Sequence, residues 1–150
     1  MRAIILTILM LTLLAGIGLA QESGIGIGLI FDNGGGGITG KYWLGAHTAV
    51  TASLGPGVNL GYLWHATDRF QYLEDIKTPY FFGVGVGYHS SKNDAGEIES
   101  DLLLKGIIGQ DYIFEKQSID AFWELTPAIN LAADAALSIF NYAIGVRYYF

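Results

Sequence analysis

The C-terminal stretch Phe140-Asn141-Tyr142-Ala143-Ile144-Gly145-Val146-Arg147-Tyr148-Tyr149-Phe150 decides the fold. Phe140, Tyr142, Ile144, Val146, Tyr148 and Phe150 share one parity and are all apolar or aromatic. Asn141, Ala143, Gly145, Arg147 and Tyr149 share the other, where side chains are small or polar. Successive side chains of a strand point to opposite faces, whereas a helix repeats every three or four residues, so these eleven residues are a strand with one apolar face.

The same alternation recurs upstream. Tyr80, Phe82, Val84, Val86 and Tyr88 oppose Phe81, Gly83, Gly85, Gly87 and His89 within Pro79–Ser90, and Ile25, Ile27, Leu29 and Phe31 oppose Gly24, Gly26, Gly28 and Ile30. In Ile119–Leu131, Asp120, Glu124, Thr126 and Asn130 lie opposite Ile119, Trp123, Leu125, Ile129 and Leu131. Ser100–Phe114 is less regular, with Gln110 on the apolar side. Ile38–Leu44, Thr48–Leu54 and Val58–His65 complete eight strands, of which Thr48–Leu54 carries the least pattern. Turns are expected at Asp32-Asn33 with the run Gly34–Gly37, at Gly45–His47, Gly55–Gly57, Ser91–Glu99, Glu115–Gln117 and Ala132–Ala135. Ala66–Thr78 is the one long connection, with room for an extra piece of strand.

Charge decides which face is dry. A soluble ligand-binding barrel turns its apolar residues inward. Here the apolar face is an unbroken row of Ile, Val, Phe and Tyr, too uniform to fill a narrow interior, and the charges fall opposite it. A lipid-facing Lys or Arg costs ~2–4 kcal/mol at mid-bilayer, and alternation independently places Lys41, Lys105 and Arg147 inward. With Asp111, Asp120, Glu124, Asn59 and Asn141 they are expected to form an interior polar network. Closure of an even number of strands leaves no unpaired edge in lipid, and Tyr148, Phe150, Phe114, Tyr112, Tyr80 and Trp64 would supply interfacial aromatic girdles. The expected fold is all-β, an eight-stranded antiparallel transmembrane barrel of the outer-membrane type.

Met1–Ala20 fits this destination. Arg2, an apolar run from Ala3 to Leu14 and small residues ending in Ala20 read as an export signal cleaved near Ala20, which leaves residues 21–150 as one barrel domain. Removing Met1–Ala20 takes away Arg2 and no acid, so 7 basic and 14 acidic residues remain. That balance opposes nucleic acid as a partner. Absence of cysteine removes disulfides, thiolate chemistry and Cys-ligated metal, and no cofactor is expected.

Gly37-Ile38-Thr39-Gly40-Lys41-Tyr42-Trp43-Leu44, Tyr62-Leu63-Trp64-His65, Phe122-Trp123-Glu124-Leu125-Thr126-Pro127 and the closing Ile144–Phe150 resemble a family of small bacterial outer-membrane β-barrel proteins of uncharacterised function. The resemblance spans most of residues 24–150 and departs at Lys105-Gly106, where the family pattern has arginine then proline. It implies contact with outer-membrane lipid and insertion by the barrel-assembly machinery, with Tyr148 and Phe150 in the recognition strand.

Chemistry-bearing candidates are few. His89, Ser91 and Glu99 have a local resemblance to outer-membrane lipid A deacylases, in which a serine is activated by a histidine oriented by an acid. The motif lies far from the C-terminus, unlike the late position in those enzymes, and a polar loop explains it as well. His47, His65 and His89 sit on separate segments without metal-ligand spacing. Glu124 with Arg147 or Lys105 could line a pore, but eight strands leave room mainly for side chains. The expected function is therefore structural or interactive, through loops such as Ser91–Glu99 whose partner the sequence does not identify. A lipid A-modifying esterase through His89 and Ser91 and a narrow solute channel are the alternatives.

Overall fold

The computed structural model describes residues 24–66, 75–92, 96, 98–131 and 137–150. The expected export segment and its cleavage point lie outside them, as do the centres of the connections at 67–74, 93–95 and 132–136. The described residues form nine strands: β1 (Ile25–Asp32), β2 (Gly35–Gly45), β3 (Thr48–Leu54), β4 (Gly57–His65), β5 (Ile76–Lys77), β6 (Tyr80–Lys92), β7 (Ile98–Phe114), β8 (Ile119–Asn130) and β9 (Leu137–Tyr149).

Eight of them close a ring. Every neighbour is antiparallel, in the order β1-β2-β3-β4-β6-β7-β8-β9, and β9 pairs back onto β1 from Gly26↔Tyr149 to Asp32↔Ala143. The protein is a closed eight-stranded antiparallel β-barrel. Closure gives each of the eight strands a neighbour on both sides, which no open sheet achieves. Both ends of the barrel segment, Gly24 and Phe150, meet at one end, where Phe150 N donates to Ile25 O at 3.1 Å. This is the terminal end; the opposite, hairpin-tip end carries the Asn33-Gly34 turn.

β3 is fully paired on both sides, from Ile38↔Leu54 against β2 and from Thr48↔Trp64 against β4. β5 is the extra strand that the long connection could hold. Ile76 and Lys77 pair with Phe114 and Ile113, and Asp111 N donates to Pro79 O at 2.9 Å, so residues 76–80 continue the line of β6 along the terminal end of long β7. Residues Ile98 to Asp101 of β7 pair with β6 beyond the last pair between β7 and β8, Leu103↔Asn130, so the β6–β7 hairpin projects past the rim.

Two expected turns are corrected. Gly34–Gly37 is not a turn as a whole: β2 begins at Gly35, which pairs with Asp32, and the reversal is Asn33-Gly34 alone. Asp32 Oδ1 holds it by accepting from Gly34 N at 2.8 Å and Gly35 N at 3.0 Å. Gly37 belongs in the ladder because a Cβ there would come within 2.3 Å of Leu54 O. The strands likewise reach into Ser91–Glu99 from both sides, with Ser91 paired to Glu99 and Lys92 to Ile98. Pro127 brings a third irregularity: it cannot donate to a ladder, and the β8–β9 register shifts between Thr126 and Ala128.

The faces fall as parity requires. Outward side chains are half exposed around the circumference, for example Leu29 57 %, Leu60 54 %, Val84 54 %, Ile108 55 % and Ile144 58 %. Inward, Trp43, Phe81, Ile113, Phe122 and Tyr149 are buried together with Lys41, His65, Asp111, Asp120 and Arg147. Three inward rings lie over glycines directly opposite on the next strand. Phe81 covers Gly109, Phe122 covers Gly145 and Tyr149 covers Gly26, and a Cβ on those glycines would meet the rings at 2.4, 2.5 and 2.6 Å. The interior glycines are the space the rings occupy.

Candidate functional site

The interior has two storeys. In the terminal half, Asp111 on β7 faces Lys41 on β2, four strands away in either direction around the ring, and forms an ion pair with it across the lumen. His65 Nε2 on β4 lies 3.0 Å from Asp111 Oδ2 and donates to it, while Arg147 Nη2 on β9 reaches Asp111 Oδ1 at 3.4 Å. Arg147 Nε donates to Asp120 Oδ1 at 3.1 Å, and Tyr149 Oη donates to Asp120 Oδ2 at 2.7 Å. Five strands thus meet in one charge cluster.

Its packing is as tight as its bonding. Lys41, His65, Asp111, Asp120 and Arg147 are each 4 % exposed or less. Lys41 Nζ stands 4.3 Å from the centre of the Trp43 ring, and the Arg147 guanidinium 3.8 Å from that of Phe122. Buried charges are tolerated only when paired and hydrogen-bonded, and here two acids answer two bases. The Lys41–Asp111 pair carries the layer across the lumen.

The hairpin-tip half is open. A cavity of about 470 Å³ lies there, walled by Asp32, Asn59, Asp101, Lys105, Glu124 and Asn130 among others. Lys105 Nζ donates to Asn59 Oδ1 at 2.9 Å, Asn130 Nδ2 donates to Asp101 Oδ1 at 2.5 Å, and Asn33 Nδ2 donates to Asn141 Oδ1 at 3.0 Å. Glu124 makes no hydrogen bond or ion pair with any described residue.

The six charged residues expected to form one network are therefore divided. Lys41, Asp111, Asp120 and Arg147 are joined by contact; Lys105 and Glu124 line the upper cavity, with Glu124 in the fields of both Arg147 and Lys105. Parity gives the face of a residue but not its height, and height follows from register, as in Arg147 opposite both Gly28 and Asp120. His65 and Tyr149 are members that the sequence reading placed inward without assigning them a partner. Alternation carried the signal for both, since each is a polar group on the inward parity of its strand.

His89, Ser91 and Glu99 lie on the strands of the projecting hairpin, where Ser91 pairs with Glu99 and His89 with Asp101. His89 Nε2 lies 3.4 Å from Asn59 Oδ1, an amide in place of an orienting carboxylate. The Ser91 side chain lies outside the description. His65 and His89 are at opposite ends of the interior, and among the described residues no three His, Asp or Glu side chains converge to hold a metal ion. On the outer face, Tyr148 and Phe150 make an edge-to-face pair at 5.0 Å. The misplaced-looking Gln110 is bonded there: its Nε2 donates to Thr78 O at 3.3 Å, and its Oε1 accepts from Tyr112 Oη at 3.1 Å and Trp123 Nε1 at 3.4 Å.

Comparison of the chain with protein-family models, with curated proteins and with solved structures gives no match.

Proposed function

We propose that this chain is an outer-membrane barrel with a structural or interactive role in the cell envelope, acting through its embedded wall and projecting loops rather than by conduction or catalysis. The observation that carries this reading is the wall itself: apolar side chains half exposed on every strand of the ring, with the charges inside. Water-facing surfaces rarely present apolar patches beyond a few hundred Å². Aromatic side chains gather outside at the terminal end, where Trp64 stacks on Phe82 at 5.8 Å and Tyr148 meets Phe150, as in an interfacial girdle.

The channel reading is opposed by the ion-paired layer across the lower storey. The esterase reading has in its favour only the shared hairpin of His89, Ser91 and Glu99. Expression of the full chain in a bacterium with two membranes, followed by density fractionation, tests the proposal. A heat-modifiable band in the outer-membrane fraction, silent in planar bilayers, is the expected result. A soluble, detergent-indifferent protein overturns the membrane reading, and stepwise conductance overturns the closed interior.

A further inference from the structure

The upper cavity is not accounted for by a structural role. Filling it with side chains would be the economical solution for a narrow barrel, as in the storey below, yet about 470 Å³ is left open, within the ~300–1,000 Å³ typical of small-molecule sites. Its wall is also out of charge balance. Asp32, Asp101 and Glu124 face Lys105, three carboxylates against one ammonium.

None of the three carboxylates is neutralised by a contact of its own. Asp32 accepts backbone N–H groups of its turn, Asp101 accepts an amide of Asn130, and Glu124 has no hydrogen bond or ion pair among the described residues, though it lies in the fields of Arg147 below and Lys105 beside it. Lys105 is bonded to Asn59 and lies in the fields of both Glu124 and Asp32, so its one charge is shared. A concave, low-dielectric enclosure focuses such an imbalance and concentrates ions of the opposite sign.

The geometry narrows the class of cation. A metal ion held by protein carboxylates needs several of them converging on one point, and among the described residues no three acidic or histidine side chains do. An anion would meet only Lys105, already held by Asn59. Separated carboxylates with amides between them suit a molecule that spreads its positive charge along a chain.

We propose that the hairpin-tip half of the barrel interior is a binding site for a small linear aliphatic polyamine, with Glu124 and Asp101 as the ammonium acceptors and Lys105 as a competing internal cation. The inference rests on the cavity and its charges, and holds whichever partner the loops have.

Titration calorimetry with spermidine, on the folded barrel in neutral detergent at fixed ionic strength, tests it. Saturable binding at one site is expected, weakened about tenfold in Glu124→Gln by loss of a charge-assisted contact and strengthened by a similar factor in Lys105→Met. Asp75→Asn, the same loss of charge at the exposed terminal end, should leave the affinity unchanged. Heat-modifiability of each variant confirms that the barrel is closed. Absence of saturable heat, equal displacement by magnesium at the same ionic strength, or equal effects of Glu124→Gln and Asp75→Asn would each overturn the proposal. If one cavity variant does not close, the opposite-signed effect of the other still decides.

Discussion

Asp111 ties the lower storey together, accepting from Lys41 opposite, from His65 and from Arg147. Removing one partner from a buried, hydrogen-bonded charge cluster leaves the remainder uncompensated. Asp111→Asn should therefore lower unfolding stability by about 3–5 kcal/mol, and adding Lys41→Met should restore part of the loss by removing the stranded ammonium. The midpoint of urea unfolding in detergent reads both. Equal stability of Asp111→Asn and the parent would mean that the cluster is not coupled across the lumen. Every member of the cluster was legible as inward from parity alone, because a charge interrupts an apolar alternation visibly. What alternation could not give was the pairing. Lys41 and Asp111 are seventy positions apart, and only barrel closure makes them opposites.

At the scale of the strand, glycine carries most of the information. The alternation of glycine with apolar residues in β1 and β6 marked the strands and their faces, and the eight-strand count followed from it. The ring-over-glycine contacts were not legible, since they depend on which residue of the next strand stands opposite. They imply a sharp asymmetry between faces. A Cβ on inward Gly109 would lie 2.3 Å from Trp123 O of the next strand and 2.4 Å from the Phe81 ring, whereas on outward Gly40 it would meet nothing closer than 3.7 Å. Gly109→Ala should cost about 1–3 kcal/mol through overpacking, with partial recovery on adding Phe81→Leu, while Gly40→Ala should be close to neutral. Parallel denaturation curves of the four chains check this, and a neutral Gly109→Ala would show that both the ring and the backbone of β8 have room to move. The same dependence on pairing explains why Gly34–Gly37 reads as a loop in sequence: four glycines in a row have no alternation, and Gly35–Gly37 become strand only because β1 lies alongside to pair with them.

The whole molecule inverts the arrangement of a water-soluble barrel, and its three tryptophans report on that inversion separately. Trp43 is inside, 4 % exposed and packed against His65 with ring centres 4.3 Å apart. Trp64 and Trp123 belong to the outer face, the first stacked on Phe82 and the second bonded to Gln110. Contact quenchers act over a few ångströms, so a quencher carried on lipid acyl chains reaches only what the wall presents. In vesicles of brominated phospholipid, the variant Trp64→Phe with Trp123→Phe, which keeps Trp43, should retain its emission. The variant Trp43→Phe with Trp123→Phe, which keeps Trp64, should be strongly quenched. Acrylamide in the aqueous phase should leave Trp43 largely unaffected too, because its ring is only 4 % exposed. Quenching of Trp43 by lipid, with Trp64 spared, would mean that the apolar rows face a lumen and the charges face outward, and with that the membrane assignment would fall. Equal protection of both would place the barrel in water with its apolar wall covered by another protein, which leaves the fold intact and moves the interactive role from the loops to the wall.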